Sequence, residues 1–145
     1  MPDRKFDLED RLVEFAGRII EVVETLPKTR AGNYIAGQLI RCGLAPALLY
    51  GEAQSAESRE DFVHKMKIIL KEPKESRVCI KIILHKQLIK PISRLSDLYK
   101  ECEALIAIAA KSIATAKKNI DRKLGWILSV VCWILNVNQV KNGKK

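Results

Sequence analysis

The chain has 145 residues, of which 48% are hydrophobic and 30% are charged, and its formal net charge is +9. This length corresponds to one ordinary domain with enough apolar side chains to form a core. The sequence contains only 7 glycines and 5 prolines, too few for an all-β protein with many turns. The composition therefore favours an all-α fold.

Four amphipathic segments follow one another along the chain, and they predict an antiparallel up-down four-helix bundle. We expect helices near residues 8–25, 31–53, 58–90 and 94–119, joined by short connections. In the first segment the apolar spacings of 4, 3, 4, 3 and 4 are typical of a helix that faces partner helices; these residues are Leu8, Leu12, Phe15, Ile19, Val22 and Leu26. Ser58, with Asp61 three residues later, resembles a capping box at the start of the third helix.

Two prolines and several small residues fall inside the predicted helices. We expect a kink at Pro46 and a kink or break at Pro73, because a proline ring clashes with the carbonyl one turn earlier and has no N–H to donate. The second helix carries small residues that would let another helix approach closely; they are Gly37, Gly43, Ala45 and Ala47.

Residues 120–145 form a C-terminal extension that differs from the predicted bundle domain of residues 1–119. The run from Leu124 to Leu135 is apolar on all sides of a helix, and cations flank it: Lys117, Lys118, Arg122 and Lys123 precede it, and Lys141, Lys144 and Lys145 follow it. Twelve helical residues span roughly 18 Å, short of the ~30 Å hydrocarbon core of a bilayer. We favour a continuation of the fourth helix that packs on the bundle or on a neighbouring subunit. The alternatives are a location in a membrane interface and an extension with little order.

The sequence contains no recognisable catalytic or metal-binding motif. It has no GxxxxGK[ST] phosphate loop, no GxGxxG motif after a strand, no HExxH and no GxSxG. The four cysteines, Cys42, Cys79, Cys102 and Cys132, form no CxxC pair, and the two histidines lie 21 positions apart, so no zinc site is predicted. We therefore expect a non-enzymatic protein without catalytic residues, metal or cofactor. The charged N-terminus and the unpaired cysteines favour a cytoplasmic location.

Positive charge is concentrated in the second part of the chain. Residues 62–145 carry 18 Lys/Arg and 6 Asp/Glu, whereas residues 1–61 carry 8 and 11. The densest part is a row in the third helix, with Lys67, Lys71, Lys74 and Lys81 at spacings of 4, 3 and 7, Arg77 at the edge of the same face, and Lys86 and Lys90 following. At roughly 5–6 Å per turn, such a row is able to follow a phosphate backbone. A solvated helix face is the simpler interpretation, and the row lacks interleaved aromatic residues for base stacking.

A set of short motifs lies between Ile35 and Leu84. They are Gln38-Leu39-Ile40-Arg41, Tyr50-Gly51-Glu52-Ala53, Glu57-Ser58-Arg59 with Asp61-Phe62, and Lys71-Glu72 with Glu75-Ser76-Arg77. Together they resemble the bacterial four helix bundle protein family, over about residues 6–119. This family includes proteins encoded within intervening sequences of large-subunit ribosomal RNA genes. The accessory variability determinant of diversity-generating retroelements is a relative.

The resemblance implies more than the residues alone predict. It implies a ring-like homopentamer with a basic surface for RNA or DNA and, through the retroelement relative, a reverse transcriptase as a partner. Two features depart from the family pattern: Pro73, which stands where a good helix former is usual, and the extension from Ile120 onward. We expect a homo-oligomeric scaffold that binds nucleic acid through the row of cations. A protein-interaction adapter for an acidic partner is the alternative, and membrane association is the least expected of the three.

Overall fold

The computed structural model describes the backbone of residues 8–142 and the side chains of residues 8–136. Four helices follow one another in the order α1 (Leu8–Thr25), α2 (Arg30–Gln54), α3 (Arg59–Lys86) and α4 (Ile92–Asn142). Residues 8–142 contain no strand, which confirms the predicted all-α four-helix bundle. The two interhelical ion pairs of α1, Arg11–Glu101 and Glu21–Arg94, show that α1 and α4 run antiparallel.

The core is wider at one end of the bundle than at the other. At the first end all four helices contribute buried residues, among them Leu12 and Phe15, whose predicted burial is confirmed. At the second end the core contains residues of α2, α3 and α4 only; these are Ala53, Val63, Met66, Ile69, Ala109, Ile113 and Ala116. The reason is length, because α1 has 18 residues whereas α2 has 25 and α3 has 28. The number of helices packed around α4 therefore falls along its course.

Helices α1 and α2 pack closely against each other at Gly43. A Cβ atom at this position would lie 2.8 Å from a side-chain carbon of the buried Ile19, whereas a Cβ at Gly37 would meet nothing within 4 Å. The prediction that small residues allow a close helix contact is therefore confirmed at Gly43 and is wrong at Gly37.

Side chains at the helix starts satisfy the first free amides. Thr29 caps α2 by accepting a hydrogen bond from the Gly32 N–H at 3.1 Å. Ser58 caps α3 as predicted, since its hydroxyl accepts from the Asp61 N–H at 3.0 Å. The reciprocal bond differs from a standard capping box, because the Asp61 carboxylate accepts from the N–H of Glu57, at 3.2 Å, and not from that of Ser58.

Helix α3 runs through Pro73 without a break and ends four residues earlier than predicted. Pro73 is buried, and its carbonyl accepts a hydrogen bond from the Cys102 thiol at 3.1 Å. The helix ends at Lys86 because Gln87 adopts the left-handed conformation (φ 51°) and its N–H bonds back to the Leu84 carbonyl, a common helix ending. Pro46 likewise lies inside the continuous helix α2.

Helix α4 continues beyond Asn119, as the favoured interpretation of the extension expects. It reaches Asn142 and has 51 residues, which corresponds to about 76 Å of helix. We call residues 121–142 the tail. Every described tail side chain is exposed except that of Val130, which is half-buried, so the favoured packing of the extension on its own bundle is not observed. No helix within the described residues has an apolar stretch long enough to cross a membrane. The side chains of Lys141, Lys144 and Lys145 lie outside the described residues.

Candidate nucleic-acid interface

Four of the predicted lysines form one continuous row on the outer face of α3. Lys67, Lys71, Lys74 and Lys81 are all exposed. At about 100° per residue they fall within an arc of about 80°, and at 1.5 Å per residue the row is about 21 Å long. Because α3 is uninterrupted at Pro73, the row is not divided. We call these four residues the lysine row.

The remaining predicted cations do not extend the row. Arg77 is half-buried at its edge, beside Tyr99 and Cys102 of α4. Lys86 lies in the last turn of α3, on a different side of the helix from the row. Lys90 follows the end of the helix and belongs to the connection between α3 and α4. The predicted continuation of the third helix to Lys90 is wrong, because the left-handed residue Gln87 ends the helix at Lys86.

An arginine of the neighbouring helix forms ion pairs with two glutamates beside the row. Arg41 of α2 donates to the Glu72 carboxylate at 3.1 Å and also pairs with Glu75. The hydrogen bond from Arg41 lowers the pKa of Glu75, so this carboxylate stays ionised. Glu72 is buried, and the Arg41 guanidinium compensates for its desolvation. Arg41, Glu72 and Glu75 therefore join α2 to α3.

The lysine row keeps most of its positive charge free of partners. Lys71 approaches the Glu75 carboxylate at 3.7 Å. Within residues 8–136, Lys67, Lys74 and Lys81 make no ion pair. Exposed ammonium groups without an acidic neighbour are available to a polyanion.

An aromatic residue missed by the sequence analysis lies beside the row. Tyr34, in the second turn of α2, is 70% exposed. It lines a groove of about 460 Å³ between α2 and α3, together with Lys71 and Lys74. Its place on the outer face of α2, next to the inward Ile35, was readable from the sequence. Its position beside lysines 37 and 40 residues later depends on how the two helices pack.

Two cysteines line the same groove. Cys42 is buried and accepts a hydrogen bond from the Ser76 hydroxyl at 3.1 Å, whereas Cys79 is half-exposed. The hydrogen bond from the Cys42 thiol lowers the pKa of Cys79 to about 7, and the same bond raises the pKa of Cys42. Cys79 is thus the more nucleophilic of the two. Within the described residues, no three His, Cys, Asp or Glu side chains are grouped so that they could hold a metal ion.

A large groove lies at the end of the bundle that α1 does not cover. Its volume is about 630 Å³, and Phe62, Ile108 and Ala116 contribute to its lining together with Arg59 and Lys111. It contains no acidic residue. The three-helix end of the core is therefore open on the side where the fourth helix is missing.

Comparison with known proteins identifies the fold and leaves the family open. No protein-family model matches the chain, and no curated protein matches it. A crystal structure of a protein of unknown function from the S23 ribosomal protein family of Bacteroides thetaiotaomicron VPI-5482 is similar, with a TM-score of 0.68 and 23% identity. The alignment covers 98% of that protein and 74% of this chain. The similarity shows the four-helix-bundle fold, and about a quarter of this chain has no counterpart in that protein.

Proposed function

We propose that this protein is a non-enzymatic scaffold that binds single-stranded nucleic acid along the lysine row. One observation carries the proposal: a line of exposed lysines on α3, with the exposed ring of Tyr34 in the same groove as Lys71 and Lys74. Proteins that bind single strands combine a cationic path for the backbone with aromatic rings for the bases. The lysines would contact phosphates, and Tyr34 would stack on a base.

The proposal also includes the oligomeric state of the protein and the family to which it belongs. Apolar side chains lie exposed on the outer faces of α1, α2 and α3, among them Val13, Ile40, Leu48 and Val78; a homo-oligomer, with a pentamer favoured, would cover part of this surface. Several copies of the lysine row in one assembly would raise avidity without new contacts. We assign the chain to the four helix bundle protein family and place it in the cytoplasm. A reverse transcriptase as a partner rests on the resemblance alone.

Fluorescence anisotropy with labelled single-stranded RNA tests the lysine row. The variant carries Lys71→Glu, Lys74→Glu and Lys81→Glu. The matched control reverses three exposed lysines elsewhere on the bundle, Lys28, Lys100 and Lys111, so that both variants have the same net charge. We expect the row variant to lose affinity for all sequences alike and the control to lose much less. Equal losses would show that binding depends only on total charge.

A second measurement tests the stacking role of Tyr34. Tyr34→Ala should weaken binding of single strands by about 1–3 kcal/mol, the usual contribution of one stacked base. Binding of a duplex, whose bases are already stacked, should change little. An equal loss for single and double strands would contradict the role of Tyr34 as a stacking platform.

A protein-interaction adapter is the second candidate. Val78 and Ile82, 53% and 43% exposed, lie on the outer side of α3 beside the lysines, and a mixed apolar and cationic face suits an acidic protein surface. If the chain is an adapter, Val78→Ser should weaken partner capture while RNA affinity is absent in the wild type.

A further inference from the structure

The tail is an apolar helix without cover. Beyond Ile120, only Lys123 lines a groove with the start of α3, and the large apolar side chains of α4 are exposed there. The exposed fractions are 52% for Leu124, 69% for Trp126, 39% for Ile127, 64% for Leu128, 45% for Val131, 68% for Trp133, 46% for Ile134 and 60% for Leu135. A contiguous apolar surface of this kind marks an interaction site.

The tail is apolar on nearly all sides. One row at heptad spacing contains Leu124, Ile127, Val131 and Ile134, and a second contains Trp126, Val130 and Trp133. The only polar line runs through residues 122, 129 and 136, which are seven residues apart and therefore lie above one another on the helix. A helix that pairs with one partner helix needs a single apolar stripe. The tail instead needs an apolar environment on most of its circumference.

The charges beside the apolar run indicate an anionic environment. Lys117, Lys118, Arg122 and Lys123 are all exposed and lie within seven residues, a stretch whose only acidic residue is Asp121. Lys123 also lines a groove with Glu57 and Glu60, and the other three cations do not line it. If two tails packed side by side in the same direction, these cations would be brought together and would repel each other. An anionic lipid surface satisfies both the cations and the apolar side chains.

We propose that the tail inserts its apolar run, Leu124 to Leu135, into one leaflet of an anionic membrane. The run is roughly 18 Å long as a helix, too short to cross a ~30 Å hydrocarbon core. It would lie along the interface of one leaflet, with the polar line of residues 122, 129 and 136 directed to the headgroups. The cations between Lys117 and Lys123 would contact lipid phosphates. The two tryptophans are amphipathic rings of the kind enriched at the level of the headgroups.

Tryptophan fluorescence reports on the tail alone, because the only two tryptophans of the chain lie in it. The full-length protein is mixed with phosphatidylcholine vesicles, with or without phosphatidylglycerol. We expect a blue shift and quenching by brominated lipid only when the anionic lipid is present. Replacing Lys117, Lys118 and Lys123 by glutamine should weaken binding about fivefold for each cation removed.

Two glutamate substitutions provide a matched pair. Val131→Glu places a charge in an apolar row, and Ser129→Glu places the same charge on the polar line. We expect Val131→Glu to lower the partition into anionic vesicles at least about tenfold and Ser129→Glu to lower it clearly less, with circular dichroism confirming that both variants fold. The proposal is overturned if the wild type gives no vesicle-dependent shift or if both variants lose binding equally. A blue shift that appears without lipid and grows with protein concentration would also overturn it. The tail of a second copy, and not lipid, would then bury the apolar side chains.

Discussion

Helix α4 is continuous, yet its two parts have opposite relations to the rest of the molecule. From Ile92 to Ile120 it buries one stripe against its neighbours; the buried residues are Leu95, Leu98, Cys102, Leu105, Ala109, Ile113 and Ala116. In the tail the same helix carries larger apolar side chains, and they are exposed. Helical backbone can therefore continue where packing stops. Because isolated helices are only marginally stable in water, the tail is the part of the molecule that most needs a partner.

The largest expected difference between the two parts concerns leucine truncation. Leu98 is 1% exposed, whereas Leu128 is 64% exposed. Leu98→Ala should lower the free energy of unfolding by about 2–5 kcal/mol because it leaves a cavity, and Leu128→Ala should change it by about 0.5 kcal/mol or less. Urea denaturation of the two variants measures this. Similar losses would mean that the tail packs on the bundle.

A second pair of substitutions should have opposite signs. Gly43→Ala would place a methyl group 2.8 Å from Ile19, whereas Gly125→Ala in the tail would meet nothing within 4 Å. We expect the first to cost about 1–3 kcal/mol by overpacking. The second should raise the helical content of the tail, because alanine is favoured over glycine by about 1 kcal/mol in a helix. Thermal unfolding followed by circular dichroism measures both effects.

Thiol labelling distinguishes a half-exposed from a buried cysteine of the bundle by a smaller effect. The pKa of Cys79 is lowered to about 7 by the Cys42 hydrogen bond, whereas burial raises the pKa of Cys102 to about 12. Since the thiolate is the reactive form, alkylation of Cys79 should accelerate about tenfold between pH 6 and 8 and then level off, and native Cys102 should stay unlabelled. Mass spectrometry identifies the sites. Cys42→Val should remove the hydrogen bond and move the Cys79 transition to higher pH.

The same experiment compares the bundle with the tail directly. Cys132 is exposed in the tail, so anionic vesicles should protect it from a water-soluble alkylating reagent and leave Cys79 unprotected. Protection of both thiols would show that the bundle also contacts the membrane. Protection of neither would contradict insertion of the tail.

The smallest expected effect is that of truncation on the bundle. Removal of residues 121–145 should leave the melting temperature unchanged within the error of the measurement, because every described side chain of the tail except that of Val130 is exposed. Vesicle binding should be lost at the same time. A clearly lower melting temperature would show that the tail is covered by protein.

Most features that depend on residues close in sequence were predicted correctly, whereas a groove formed by residues distant in sequence was missed. The apolar spacing of α1 and α4 identified buried residues such as Ile19 and Leu105, because burial on one face produces a local period. The end of α3 was missed, because the residue that adopts the left-handed conformation is Gln87 and not a glycine. The groove beside Tyr34 was missed as well, because it is formed by residues of two helices that are distant in sequence. The continuation of α4 beyond Asn119 was expected, since no proline follows that residue, whereas the exposure of its apolar side chains was not.

The salt dependence of RNA binding tests the central claim most directly. In log–log form the slope of the association constant against salt should be about 0.7 for each phosphate contacted in a single strand. If the lysine row makes these contacts, the variant with Lys71, Lys74 and Lys81 reversed should have a slope smaller by about 2, with unchanged helical content. An unchanged slope in a folded variant would show that the phosphates are bound elsewhere and that the row is only a solvated face.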